Sequence, residues 1–180
     1  MKGICITFLI LSIIALSVIG FYTEEQTANV EYLRIHIRAD SNNQEDQAIK
    51  YSIKDEIVDY LAPKIAVCKS YEDAENMLKE SLSDIEKVCD RVLEEKGFDY
   101  KSKASIKIEE FPTRAYQNVI LDAGIYRALI INLGSGKGDN WWCVAYPPLC
   151  FTQGNYPYEY KSLIIDAIRK FNEMKLKKEK

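Results

Sequence analysis

The stretch Val30-Glu-Tyr-Leu-Arg-Ile-His-Ile-Arg-Ala39, with Asp40-Ser-Asn-Asn43 behind it, decides how this chain folds. Leu33, Ile35 and Ile37 alternate with Arg34, His36 and Arg38. Successive side chains of a strand point to opposite faces, so the pattern predicts a strand with one buried face and one outward, basic face. The polar residues from Asp40 stop the strand and supply a helix cap. Ser41 with Gln44, or Asn42 with Glu45, has the spacing of a capping box. Ile49, Ile53, Ile57 and Leu61 then recur every fourth position, which predicts a helix over 42–61 that ends before Pro63.

Downstream, Ser70 with Asp73 gives a second cap signal. Ala74, Leu78, Ile85, Cys89 and Val92 make an apolar stripe that Gly97 closes, so a second, single helix is expected from Ser70 to Gly97. Strands are predicted at Ala104–Glu110, Tyr116–Leu121, Tyr126–Leu133 and Trp141–Tyr146, and a last helix over 159–175. The order β-α-α-β-β-β-β-α points to an α+β, two-layer fold. Its sheet should be largely antiparallel, with about five strands and about three helices mostly on one face.

Upstream, Lys2 is followed by an uncharged, largely apolar run from Gly3 to Tyr22, with a possible cleavage site at Val18-x-Gly20. Residues 1–22 therefore read as a signal peptide or an N-terminal membrane anchor, the anchor being residues 4–21. Residues 23–29 are a polar linker, and 30–180 form a single domain. Export follows from the leader, and membrane contact would run through the leader only. The chain has 180 residues, 28% charged and 47% hydrophobic, and a net charge of −3, which is globular and offers no basic surface for nucleic acid.

A second stretch carries the candidate site: Gly134-Ser-Gly-Lys-Gly-Asp-Asn-Trp-Trp-Cys-Val-Ala-Tyr-Pro-Pro-Leu-Cys150. Gly134, Gly136 and Gly138 allow a tight turn, and Asn140 can bond its own backbone to fix it. Gly136, Lys137 and Gly138 read as a projection bearing one charge. Trp141 and Trp142 should face opposite sides of a strand, one in the core and one outward to meet a partner. Pro147-Pro148 ends the strand, and a bond between Cys143 and Cys150 would contribute about 2.5 kcal/mol. Cys68 lies before the second helix, and Cys89 lies about 28 Å along it, too far apart for a bridge, so both read as small buried apolar residues.

Three matches in order resemble the stage II sporulation protein R family. They are Leu33-Arg-Ile-His-Ile-Arg-Ala-Asp-Ser-Asn42 with Glu45-Asp-Gln-Ala48; Phe111-Pro-Thr113 with Gly124-Ile-Tyr-x-Ala-Leu129; and the glycine–tryptophan–cysteine stretch. The resemblance covers about Tyr32 to Phe151. It implies an exported signal of endospore formation, secreted across the forespore membrane into the space between forespore and mother cell. There it would activate a membrane-embedded aspartic protease that processes the precursor of the mother-cell sigma factor. The partner-contact candidates are Gly136, Lys137, Gly138, Asn140, Trp141, Trp142, Arg34, His36 and Arg38.

Catalytic and cofactor signals do not hold together. Gly136-Lys137 lacks the upstream glycine and the following Ser or Thr of a phosphate loop, having Ile131 and Gly138 there. Asp40, Asn42 and Gln44 echo a calcium loop, but Glu45 and Tyr51 stand where Gly and Glu are needed. His36 is the sole histidine, which leaves no zinc set and no nucleophile–base set. Glu109 and Glu110 are adjacent on a strand and point apart, so they cannot share a substrate. The expectation is a non-enzyme with no cofactor and no metal. The alternatives are an anchored structural protein of the spore envelope and, behind it, an exported hydrolase.

Overall fold

The computed structural model describes residues 29–116 and 119–151; the leader and the helix expected over 159–175 lie outside them. The element order is β1 (Asn29–Arg38), α1 (Gln44–Ala66), α2 (Tyr71–Glu80), α3 (Leu82–Glu95), β2 (Ser102–Phe111), β3 (Arg114–Tyr116), β4 (Val119–Leu121), β5 (Gly124–Leu133) and β6 (Asn140–Tyr146). A short 3-10 turn, Leu149–Phe151, follows. The fold is α+β, as the order of elements predicts. Four strands form the main sheet in the order β2-β5-β1-β6, and β3 and β4 form a small sheet of their own.

Pairing is antiparallel for β2 with β5 and for β1 with β6, and parallel for β1 with β5. The sheet is therefore mostly antiparallel, with β1 between the two strands that flank the glycine loop. The strands on either side of the glycine loop, β5 and β6, do not pair, because β1 lies between them. Leu33, Ile35 and Ile37 of β1 meet Leu129, Ile131 and Leu133 of β5 and the apolar stripes of all three helices in one core. The opposite face has a second core of Tyr32, Phe111, Leu121, Tyr126, Ala128, Ile130 and Val144. The small sheet covers part of that face through Leu121, Tyr116 and Val119. Thus β1 is buried on both faces, and its basic face is not outward.

Local boundaries differ where packing overrides the sequence signal. The first helix is capped by Asn43, whose Oδ1 accepts from Asp46 N–H at 2.7 Å, instead of by Ser41 or Asn42. It also runs through Pro63 to Ala66. Pro63 is exposed, so the missing hydrogen bond faces water, and Ile65 extends the buried stripe one more turn. The single helix expected from Ser70 to Gly97 is two helices, broken at Ser81. All five stripe residues stay buried on both sides of the break. Ser70 caps α2, accepting from Asp73 N–H at 3.0 Å. After α3, Phe98 N–H reaches Leu93 O and Gly97 N–H reaches Glu94 O, with Gly97 at φ +79°, the paired bonds of a glycine helix stop. The strand expected over Tyr116–Leu121 is instead the tip of the small sheet, with Arg114 opposite Leu121 and Tyr116 opposite Val119.

Candidate functional site

The glycine loop is held by the β1–α1 connection. Gly138 N–H donates to Ala39 O at 2.8 Å, Ser135 Oγ to Asp40 O at 2.9 Å, and Asp139 N–H to Asn42 Oδ1 at 2.6 Å. Lys50, buried on α1, donates to Asp139 O at 3.0 Å and to Gln47 Oε1 at 2.6 Å. A Cβ on Gly138 would stand 2.2 Å from Ser41 O, so only glycine lets the two backbones approach. Gly136–Gly138 is therefore a clamped junction instead of a free projection, and within it Lys137 is exposed while Gly138 is buried.

Beyond the loop, β6 carries Trp141 and Trp142 to opposite faces, Trp141 against the helix-side core and Trp142 against the other. Both indoles are half-buried, so the expected division into one core and one outward ring is replaced by two partly covered rings. Cys143 and Cys150 form a disulfide with Cα atoms 5.9 Å apart, while Cys68 and Cys89 are free.

The basic face of β1 lies under this strand. Arg34 is fully buried, and Nε donates to Cys143 O at 3.1 Å while Nη2 donates to Tyr116 Oη at 2.8 Å. Its guanidinium also sits over the rings of Phe111, Tyr126 and Tyr116 at 4.5, 4.9 and 5.5 Å, a cation enclosed by aromatic faces. His36, 5% exposed, pairs through Nδ1 with Glu109 Oε2 at 3.0 Å, and its ring lies between Trp142 and Phe111. Arg38 binds both oxygens of the same carboxylate at 2.8 Å. Arg114 of β3 lies 4.3 Å above Trp142 and closes the stack from outside.

Glu109 stands on β2, with β5 between it and β1. Neighbouring strands lie about 4.8 Å apart, so a carboxylate reaching both His36 and Arg38 means that the twisted sheet curls toward this face. Burial pulls the His36 pKa below its ordinary value; Asn140 and Glu109 oppose that shift and Arg38 adds to it. The imidazole is thus neutral near pH 7. Nδ1–H then donates to Glu109, and Nε2 has no hydrogen-bond partner among the described residues.

Comparison with known proteins bears directly on these residues. The family described as Stage II sporulation protein R matches residues 29–156, which include the clamped loop, the disulfide and the whole Arg34–His36–Arg38 face. The chain belongs to the stage II sporulation protein R family. Among curated proteins it is similar to Stage II sporulation protein R of Bacillus subtilis (strain 168), 34% identical over 119 residues. That alignment covers 66% of this chain and 53% of the relative, so the chain spans about half the length of the curated relative it matches. No solved structure matches it.

Within the family match, the structure sorts the candidate residues into two groups. Arg34 and His36 are buried, and Arg38 is largely spent on Glu109. Asn140 and Trp142 remain half-exposed beside Arg38 and Arg114. Trp141 belongs to the helix side and is separated from Trp142 by the sheet. Sequence reasoning missed Arg114, Phe111, Tyr116 and Tyr126, and weighed Glu109 only as a partner for Glu110. The usable signal was the alternation of β2, which puts Glu109 and Phe111 on one face.

Proposed function

We propose that the chain is an exported sporulation signal that activates a membrane-embedded aspartic protease, which then processes the precursor of the mother-cell sigma factor. The coarser part, a stage II sporulation protein, follows from the family. The finer part rests on what the family resemblance implies, together with one observation. Trp142 is half-exposed on a strand pinned by the Cys143–Cys150 disulfide, and it is held from both sides by His36 and Arg114. An aromatic anchor already fixed in its bound orientation loses little entropy on docking. The contact surface on this reading is Trp142 with Asn140, Arg114 and Arg38, while Arg34 and His36 hold it from beneath.

The direct test is photo-crosslinking from position 142 in sporulating cells, with position 141 as the opposite-face comparison. Capture of the protease from 142 and not from 141 is expected. Capture of spore-envelope components alone would point to an anchored structural protein instead.

A further inference from the structure

Arg34 is a buried cation for which the described residues supply no anion. The groups it touches are neutral: Cys143 O, Tyr116 Oη and the rings of Phe111, Tyr126 and Tyr116. Its Nη1 has no hydrogen-bond partner among the described residues. The aromatic faces offset part of the cost, but a buried charge still favours a counter-charge close by. Glu109 does not serve, because Arg38 and His36 hold both of its oxygens. The same shortage repeats nearer the surface. Arg114 and Tyr116 stand two apart on β3, so their side chains share the face that meets Trp142 and Arg34. Tyr116 Oη accepts from Arg34 Nη2, which turns its own O–H away from Arg34, and no described residue accepts that proton. Burial raises the Tyr116 pKa, with Arg34 opposing, so the phenol keeps its proton at neutral pH. Arg114 is half-exposed, has no carboxylate among the described residues, and makes one long contact, 3.5 Å to Thr113 O.

We infer that Tyr116 and Arg114 form a carboxylate site, filled by an aspartate or glutamate side chain of the protein partner; this rests on the docking reading above. Residues two apart on a strand are separated by about 7 Å, a gap that one carboxylate between two long side chains closes. One of its oxygens accepts from Tyr116 O–H and the other from the Arg114 guanidinium, a charge-assisted bond. Arg34 lies one phenol oxygen further in, so the incoming charge neutralises a cation that lacks an anion of its own. Phe111, Tyr126 and Trp142 keep water from between them, which strengthens that attraction. Two donors match the two oxygens of a carboxylate, whereas a phosphate group brings more acceptors than the site can meet. Arg34 is on this account a positioning residue, and Arg114 and Tyr116 make the contact.

The test uses the full chain in mild detergent and two probes, N-acetylglutamate methylamide and the matching glutamine compound. Magnetic resonance of the two indole N–H groups reports binding beside Trp142 separately from Trp141. The acid should bind roughly tenfold more tightly than the amide, and Arg114→Gln and Tyr116→Phe should each erase that preference. Arg114 is half-exposed, so Arg114→Gln decides the matter even where Tyr116→Phe, which strips Arg34 of an acceptor, fails to fold. Equal binding of the two probes, or a preference that survives Arg114→Gln, overturns the inference. Arg114-dependent binding to phosphatidylglycerol vesicles, with no preference between the probes, assigns the site to lipid and overturns it as well. In sporulating cells Arg114→Glu should abolish signalling, and an acidic-to-lysine change in the partner should restore it; unchanged signalling by Arg114→Glu overturns the inference. Crosslinking from position 142 keeps the two readings apart. Capture of the protease without acid preference leaves docking standing and removes the site, while acid preference without capture supports the site and removes the docking reading.

Discussion

Glu109 Oε2 lies 3.0 Å from His36 Nδ1 although a whole strand separates β2 from β1. That one carboxylate ties together the curl of the sheet, the tautomer of His36 and the position of Arg38. Glu109→Gln keeps the shape but removes the charge, leaving Arg38 without its carboxylate. The expected loss is about 2 kcal/mol by urea unfolding. An unchanged midpoint would mean that the contact does not support the fold.

The same site sets a pH dependence. Burial against Phe111 and Trp142, with Arg38 adding to it and Asn140 and Glu109 opposing it, depresses the folded pKa of His36 below 6.5, its value in the unfolded chain. The unfolded chain therefore binds a proton that the folded one refuses, over the window between the two values. This contribution is complete above pH 6.5, shrinks as pH falls through the window, and is fully lost below the folded value. Stability curves of the protein and of His36→Gln should converge as pH is lowered from 7 to 5. Parallel curves would place His36 outside the acid response.

Much of this fold was legible because burial leaves a period in the sequence. The i, i+4 stripe of α1 and the alternation of β1 both name residues that are buried. The same alternation could not reveal that Arg34 and His36 are buried too, since their cover comes from Phe111, Tyr116 and Trp142, distant in sequence. Likewise Gly134 to Asn140 announces a turn, but no local rule says whether it joins neighbouring strands or crosses over β1. The break at Ser81 has neither glycine nor proline to mark it.

Gly138 and Gly124 make a paired test of the clamped loop. A Cβ at Gly138 meets backbone at 2.2 Å, whereas at Gly124 the nearest atom is the Tyr126 ring at 3.5 Å. Gly138→Ala should cost about 3 kcal/mol or more and deplete the protein, while Gly124→Ala should stay within about 1 kcal/mol. Thermal melts of the two variants decide it. Equal melts would mean that the loop yields and does not clamp.

Thiol chemistry separates the four described cysteines. Non-reduced, alkylated protein should give a peptide joining Cys143 to Cys150 and label at Cys68 and Cys89. Cys89 is buried and its pKa is pushed up to about 12, while Cys68 is half-buried, so Cys68 should label first. Cys143→Ser should lower stability by about 2.5 kcal/mol. A peptide joining Cys68 to Cys89 would contradict the placement of α2 and α3.

The two tryptophans decide where the signal is read, because they share a backbone and differ in face. Trp141 packs against the helix-side core, so Trp141→Ala should cost about 3 kcal/mol, with signalling falling only as far as the protein level falls. Trp142→Ala removes the ring between His36 and Arg114 and should cost about 2 kcal/mol. At matched protein level its signalling should still drop at least tenfold, roughly what losing one aromatic anchor does to a docked complex. Arg114 is half-exposed on the small sheet, so Arg114→Ala should hold stability within about 1 kcal/mol. Signalling should nonetheless fall, because Arg114 shares that surface. Thermal melts, immunoblots and a protease-processing reporter on the three variants provide the comparison. If activity follows abundance in all three, the Trp142 face is core alone, and the docking surface must be sought at Lys137 and the outer face of the small sheet.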